Sequence, residues 1–400
     1  GQYGTGIYAE KGMLVLQNCL FQDNIDGEVY GQYGGAVCAI GVAVTSVNSR
    51  FIGNTTQGNI SLGGGFYLSN CTNAWIEGCS FVSNVVWRQG ASSQGAGIYA
   101  INSPNLVITN CNFSYGLAEV YGSAIVLSGN SQSARITGCD IRNHFFFRST
   151  TFLYGSDDIY VNTTNRVIVE NTVIANGYRN GIYMDVNGLL VMTNCLIVAQ
   201  PGHGIWATTG SVSLVNCTIA DSGGWGVTNG GGTVTVLDSI LWGNALGSVP
   251  TNRLTMNNTC AQADYSSSGA NNISSDPLFF GGYYLSLNGL PTQTADSPCR
   301  DAGSVSAATR GLSARTTRTD GTADDGASNV DLGFHYASAC TDNLTNRTLY
   351  VDAVFGNDAS NGWSAGSGAL KTLTAALGRA IDHTTIYIST GQYNTALGEV

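Results

Sequence analysis

The sequence predicts an all-β fold: a right-handed parallel β-helix with one short capping helix near the C-terminus. Three observations carry this. The composition favours short strands and turns, one twelve-residue pattern recurs nine times, and a second apolar ladder keeps a fixed distance from the first. Of 400 residues, 53 are glycine, roughly twice average usage, and only 10% are charged, against about 25% in ordinary domains. Hydrophobic residues make up 43%, with 19 Tyr and 13 Phe, enough to bury a large core, which excludes disorder. Glycine keeps no strict triplet period, which excludes collagen, and no apolar run approaches the length of a membrane-spanning helix.

The nine segments begin with Met13 to Asn24, continue through 43–54, 73–84, 105–116, 133–144, 166–177, 189–200 and 211–222, and end at 233–244. Three columns emerge. Asn18, Asn48, Gly78, Asn110, Gly138, Asn171, Asn194, Asn216 and Asp238 tolerate a left-handed backbone and so mark a tight bend. Beside them stand Cys19, Ser49, Cys79, Cys111, Cys139, Thr172, Cys195, Cys217 and Ser239, where a small side chain is needed. Two places further come Phe21, Phe51, Phe81, Phe113, Ile141, Ile174, Ile197, Ile219 and Leu241, bulky and inward-pointing. Steps along the middle column are 30, 30, 32, 28, 33, 23, 22 and 22 residues.

The second ladder is Ile7, Val37, Phe66, Ile98, Ile125, Ile159, Ile182, Ile205 and Val227. A 22-residue unit cannot close a core alone; stacking units closes it and pairs each strand with the coils on either side. A propeller needs about 40 residues per blade, more than the short steps allow. Right-handed is the usual crossover sense. Residues 1–244 are therefore read as nine coils, 245–340 as closing coils, 341–347 as a linker, and 348–400 as the opening cap of a next or permuted β-helix. Leu370, Leu373, Leu377 and Ile381 recur at helical spacing and give the expected cap helix.

Gly34-Gly35-Ala36-Val37 followed by Phe51-Ile52-Gly53-Asn54, with Phe21-Gln22-Asp23-Asn24 and Phe81-Val82-Ser83-Asn84, resembles the repeats of chlamydial polymorphic outer-membrane proteins and related pectin-lyase-like β-helix surface proteins. The resemblance covers residues 4–244 and implies a surface β-helix. Asp276-Pro277-Leu278-Phe279, Ser297 to Gly303 and Val330 to Tyr336 look like the closing turns of secreted β-helix proteins, while 348–394 looks like an opening. An ending before a beginning leads us to expect a window from tandem domains or a repeating polymer.

Pectin-degrading enzymes share this architecture. Gly202-His203-Gly204 resembles their Gly-His-Gly, and Asp157-Asp158 their paired aspartates, which could run glycoside hydrolysis. The plain alternative is that these residues fill turn slots held elsewhere by Gly4-Thr5-Gly6 and Gly95-Ala96-Gly97. The other polygalacturonase elements have no counterpart in order, so no catalytic residue is assigned. Tyr8, Tyr67, Tyr99, Tyr160, Tyr183 and Trp206 follow the inner ladder and should face outward. Stacked aromatics there could bind sugar rings or a neighbouring protein, or simply pack across strands.

The thiols of the Cys column are expected to be buried and unpaired, and Cys299 with Cys340 is the disulfide candidate. No Cys-x-x-Cys occurs to hold zinc. No cofactor is expected; Asp320, Asp324, Asp325 and Asp331 are the one group that calcium could use, against the alternative of a solvated loop. Sequons place candidate glycosylation at Asn54, Asn59, Asn70, Asn112, Asn162, Asn257, Asn272, Asn343 and Asn346, whereas Asn216 sits in the bend column. A net charge of −10, no basic cluster and only two lysines, Lys11 and Lys371, argue against nucleic acid and anionic membranes as partners, and no membrane insertion is expected in this segment. The expected function is a non-catalytic extracellular structural protein, a building block of a surface filament, sheath or adhesin, whose partners are copies of itself and possibly glycans. The alternative is a carbohydrate-active or carbohydrate-binding β-helix.

Overall fold

The computed structural model describes residues 6–26, 32–87, 93–144, 156–280, 282–289, 293–324, 328–337, 348–358, 365–379 and 385–393. The chain forms two compact units, Gly1–Ser275 with Leu332–Phe334, and Asp276–Asp331 with His335–Val400.

The first unit is a parallel β-helix. Three long sheets run along it, each taking one strand per coil. The first sheet has nine strands, from Ile7–Glu10 to Val227–Asn229. The second has ten, from Met13–Gln17 to Leu254–Asn257, and the third ten, from Leu20–Gln22 to Cys260–Ala261. Register follows the sequence columns: Phe21 pairs with Phe51, Phe51 with Phe81, Phe81 with Phe113, and the column continues through Ile141 to Leu241 and Ala261. The upstream ladder pairs likewise, Ile7 with Val37 and Val37 with Phe66.

The tenth coil extends the solenoid past residue 244. Its bend residue is Asn258, at φ 44°, and the bulky column there holds Ala261, a small side chain that hides the repeat in the sequence. The longer steps along the first four coils also have a structural cause. Coils one to four carry extra strands, Gln32–Tyr33, Ser61–Leu62 and Ser93–Gln94 in one small sheet and Ile25–Asp26, Thr55–Gln57, Val85–Trp87 and Leu117–Ala118 in another. The 22-residue coils dispense with them.

The bend column adopts the left-handed conformation throughout: Asn18 (φ 53°), Asn48 (50°), Gly78 (60°), Asn110 (52°), Gly138 (64°), Asn171 (50°), Asn194 (50°), Asn216 (48°) and Asp238 (50°). Inside, Phe21, Phe51, Phe81 and Phe113 stack nearly parallel at 5.1, 4.8 and 4.7 Å between centroids. Each such pair adds about 0.5–1.5 kcal/mol beyond burial alone.

The second unit has short elements. Antiparallel pairs join Phe279–Phe280 to Tyr284–Leu285 and Arg315–Thr316 to Tyr336–Ala337. A parallel pair joins Thr348–Val351 to Thr385–Ile388. Two short α-helices occur among the described residues, where the sequence suggested one: Ala307–Arg310, capped by the Ser306 side chain, and Leu373–Arg379. The second begins at Leu373, three residues later than the spacing implied. Leu370 is buried ahead of it and Leu377 is exposed, so only part of the apolar stripe faces the cluster of Leu349, Val351, Leu370 and Ala376; Ile381 lies outside the described residues. No described helix is long and apolar enough to cross a membrane.

Candidate functional site

The corners of the coils concentrate the polar chemistry. Four residues after the start of each third-sheet strand stands a column of Asn24, Asn54, Asn84, Gly116, His144, Gly177, Gln200, Ser222 and Asn244. The side chains of Asn54, Asn84, His144 and Asn244 each reach back one coil. Asn54 Oδ1 accepts from the Asn24 backbone N–H (3.2 Å) and Nδ2 (2.7 Å), while its own Nδ2 donates to Phe21 O (3.0 Å) and Asn84 Oδ1 (2.9 Å). His144 takes the same part with Nδ1, accepting from Gly116 N–H at 3.1 Å. Full burial pushes its pKa down to about 4.

The Cys column works similarly. The Cys19 N–H donates to Ser49 Oγ (3.1 Å), Cys79 N–H to Cys111 Sγ (3.4 Å), Cys139 N–H to Thr172 Oγ1 (3.3 Å) and Cys217 N–H to Ser239 Oγ (3.0 Å). In turn the hydroxyl or thiol donates to the carbonyl two residues upstream, as Ser239 does to Leu237 O. The column thus requires a small side chain that also bonds, which is why Cys, Ser and Thr interchange there. Its thiols are unpaired, and all but the half-buried Cys19 are buried. Cys299 is buried, with its N–H donating to Ser297 Oγ; its proposed partner Cys340 lies outside the described residues.

Of the pectinase-like residues, Asp157 is linked to the His203 backbone through Asn180, across coils six to eight. The residue preceding the inner ladder is Gly6, Ala36, Gly65, Gly97, Ala124, Asp158, Gly181, Gly204 and Gly226 in successive coils. At Gly65 the reason for smallness is direct: a Cβ would meet Gly97 O at 2.6 Å and the Phe81 ring at 2.9 Å. Asp158 breaks this column with a carboxylate that is 0% exposed. Its Oδ2 accepts from Gln200 Nε2 at 3.1 Å. One residue earlier, Asp157 Oδ1 accepts from Asn180 Nδ2 (2.6 Å), and Asn180 Oδ1 accepts from the His203 N–H (2.7 Å). His203 Nδ1 accepts from Trp225 N–H at 2.8 Å. Burial pushes the Asp157 carboxyl up to about 7, with Arg179 and Asn180 pulling the other way; burial raises Asp158 far above the usual range. His203 is lowered by partial burial and by the charge of Arg179. Both aspartates are withdrawn from solvent, whereas His203 is half-buried beside the Trp206 ring, 5.7 Å away, over which the Arg179 guanidinium lies at 5.1 Å.

The outward aromatic ladder needs correction. Alternation places it on the outer face, but Tyr99 (7% exposed), Tyr160 (4%) and Tyr183 (8%) are buried in a second apolar cluster with Leu62 and Val126. Tyr33, Tyr67, Tyr121 and Trp206 pack on its edge, so side chains from the extra strands cover what would otherwise be an open sheet. Tyr8 is exposed; Tyr67 and Trp206 are half-buried. The Tyr160 and Tyr183 hydroxyls both donate to Asp185, at 3.0 and 2.8 Å.

Two glycosylation candidates are also corrected. Asn54 is buried with its Nδ2 committed to the ladder, and Asn272 Nδ2 donates to Met256 O (2.8 Å) and Tyr265 O (3.2 Å). Asn59, Asn70 and Asn112 are exposed and Asn162 and Asn257 half-buried; Asn343 and Asn346 lie outside the described residues.

In the second unit, Asp331 commits both oxygens to protein donors, the Asp301 N–H on one and Thr317 and Arg318 on the other. Asp324 Oδ2 accepts from the Asp331 N–H and contacts His335 Nε2, and Asp320 accepts from the Thr322 N–H. These carboxylates hold the closing turns together rather than forming an open oxygen cage; Asp325 lies outside the described residues.

No curated protein sequence matches the chain. The crystal structure of the periplasmic alginate epimerase AlgG is similar at 10% identity, over 59% of this chain and 72% of that one, with a TM-score of 0.32. A family model described as the right-handed β-helix region matches residues 1–157, 40–219 and 157–276. With its register-matched columns and its three parallel sheets, the chain belongs to the right-handed β-helix family.

Proposed function

We propose that the chain is a non-catalytic structural protein of the cell surface or extracellular space, a building block that assembles with copies of itself into a filament, sheath or adhesin. The observation that carries this reading is how the polar side chains at the corners are used. Asn54, Asn84, His144, Ser49, Thr172 and Ser239 all bond coil to coil. The two carboxylates that resemble a hydrolase pair are sealed from solvent. A surface of neutral Asn, Ser, Thr and Tyr offers little electrostatic resistance to self-packing. Sedimentation velocity of the purified chain over a hundredfold range of concentration tests this. Growth of larger species with concentration supports it; a monomer throughout contradicts it.

A second reading rests on the half-buried His203, Trp206 and Arg179 group, whose aromatic and cationic surfaces suit an acidic sugar. Incubation with pectin, alginate and related glycans discriminates the two. Cleavage that is lost in His203→Ala would replace the structural reading with an enzymatic one.

A further inference from the structure

The buried carboxyl of Asp158 is the one acid in a column otherwise made of glycine and alanine. Its hydrogen bonding is half complete. Oδ2 accepts from Gln200 Nε2, but Asp158 Oδ1 and Gln200 Oε1 have no partner, although both groups are fully buried. Both of these orphaned atoms are acceptors. They converge on the same place, the vacant side-chain position of Gly177, where a Cβ would collide with both Asp158 oxygens and with Gln200 Oε1. That place is one covalent bond from the Gly177 Cα, too close for a metal ion. What the pair lacks is a single hydrogen between two acceptors.

We propose that Asp158 is buried as the neutral acid and pairs in both directions with the Gln200 amide, forming a proton-dependent lock between coils six and seven. Gln200 Nε2–H donates to Asp158 Oδ2, and Asp158 Oδ1–H donates to Gln200 Oε1. One proton is taken from water as the acid is buried; no other bond forms or breaks. The geometry of the orphaned acceptors carries the assignment, and desolvation supports it by favouring the neutral form. The charged and titratable groups around the pair push the same way or are remote. Asp157, adjacent in the chain, disfavours a second negative charge. Arg179 acts on Asp157 and His203. His144, one coil earlier in the Gly177 column, is held neutral by burial, and His203, two coils on, bonds to Asn180 and Trp225.

The sign follows from linkage. A carboxyl whose folded pKa lies above its unfolded value of 3.8 contributes stability that is complete below 3.8 and is lost as pH rises toward the folded value. Asp158→Asn supplies a permanent donor in place of the proton, because its Nδ2–H can meet Gln200 Oε1. Thermal unfolding of the full chain between pH 4 and 9, with calcium or with chelator, tests the lock in wild type and Asp158→Asn. The expected result is a higher midpoint for Asp158→Asn at pH 7, a shallower decline with rising pH, and no effect of calcium. An infrared difference spectrum of wild type minus Asp158→Asn at pH 7 should show the carbonyl stretch of a protonated carboxylic acid. A lower midpoint with an unchanged pH slope, a carboxylate band instead of the acid band, or a calcium-dependent rise confined to wild type would each overturn the proposal.

Discussion

Asn54→Ala tests whether the corner ladder holds the coils together. The substitution removes four hydrogen bonds, two to Asn24, one to Phe21 O and one to Asn84 Oδ1. Asn84 Oδ1 keeps the Asn54 backbone N–H at 3.1 Å, so the loss is that of the four side-chain bonds themselves. At about 0.5–1.5 kcal/mol net for each of the four bonds, the expected cost is roughly 2–6 kcal/mol. The control is Asn112→Ala, an exposed position, for which the expected cost is within about 0.5 kcal/mol. Urea unfolding of the full chain, followed by circular dichroism, reads the difference as a shift in midpoint at constant slope. If Asn54→Ala costs no more than Asn112→Ala, the ladder does not stabilise the corner and the account of the Phe-x-x-Asn motif is wrong.

Other expectations follow from the same geometry. His144 is neutral in the fold with a pKa near 4, below its unfolded value of 6.5, so its contribution is complete above pH 6.5 and is lost as pH falls from there toward 4. His144→Asn keeps an acceptor for Gly116 N–H, and thermal melts across that window should show a shallower acid loss. Cys111→Ser retains an acceptor for the Cys79 N–H, whereas Cys111→Val strands it; calorimetry should find the valine variant less stable by about 1–3 kcal/mol. If the chain is secreted through a glycosylating pathway, peptide mapping should find glycan at some of Asn59, Asn70 and Asn112 and none at Asn54 or Asn272.

The coil architecture was legible because backbone constraints and periodic burial act on single residues. A left-handed bend selects Asn, Asp or Gly whatever surrounds it, so Asn18 to Asp238 could be read directly. The inward Phe and Ile column follows from strand alternation alone. Properties that depend on a neighbouring coil were harder to read. The Cys, Ser and Thr column looked merely small, because its acceptor role appears only when the preceding coil presents its N–H. The Phe-x-x-Asn motif was visible, but its ladder depends on the same stacking. Tyr99 and Tyr160 were placed on the correct face yet are buried, because Tyr33 and Leu62 from distant inserts join the same cluster and Tyr121 stacks on Tyr160 at 4.2 Å. The exception at Asp158 was visible as a broken Gly/Ala column; its partner Gln200, 42 residues away, was not.

We propose that these coils build an extended surface assembly. Electron microscopy with fibre diffraction on the native material tests it most directly. The expected result is filaments or sheets with a meridional spacing of about 4.8 Å, the separation of stacked strands along the coil axis. Discrete particles without that repeat, released as single chains, would contradict it.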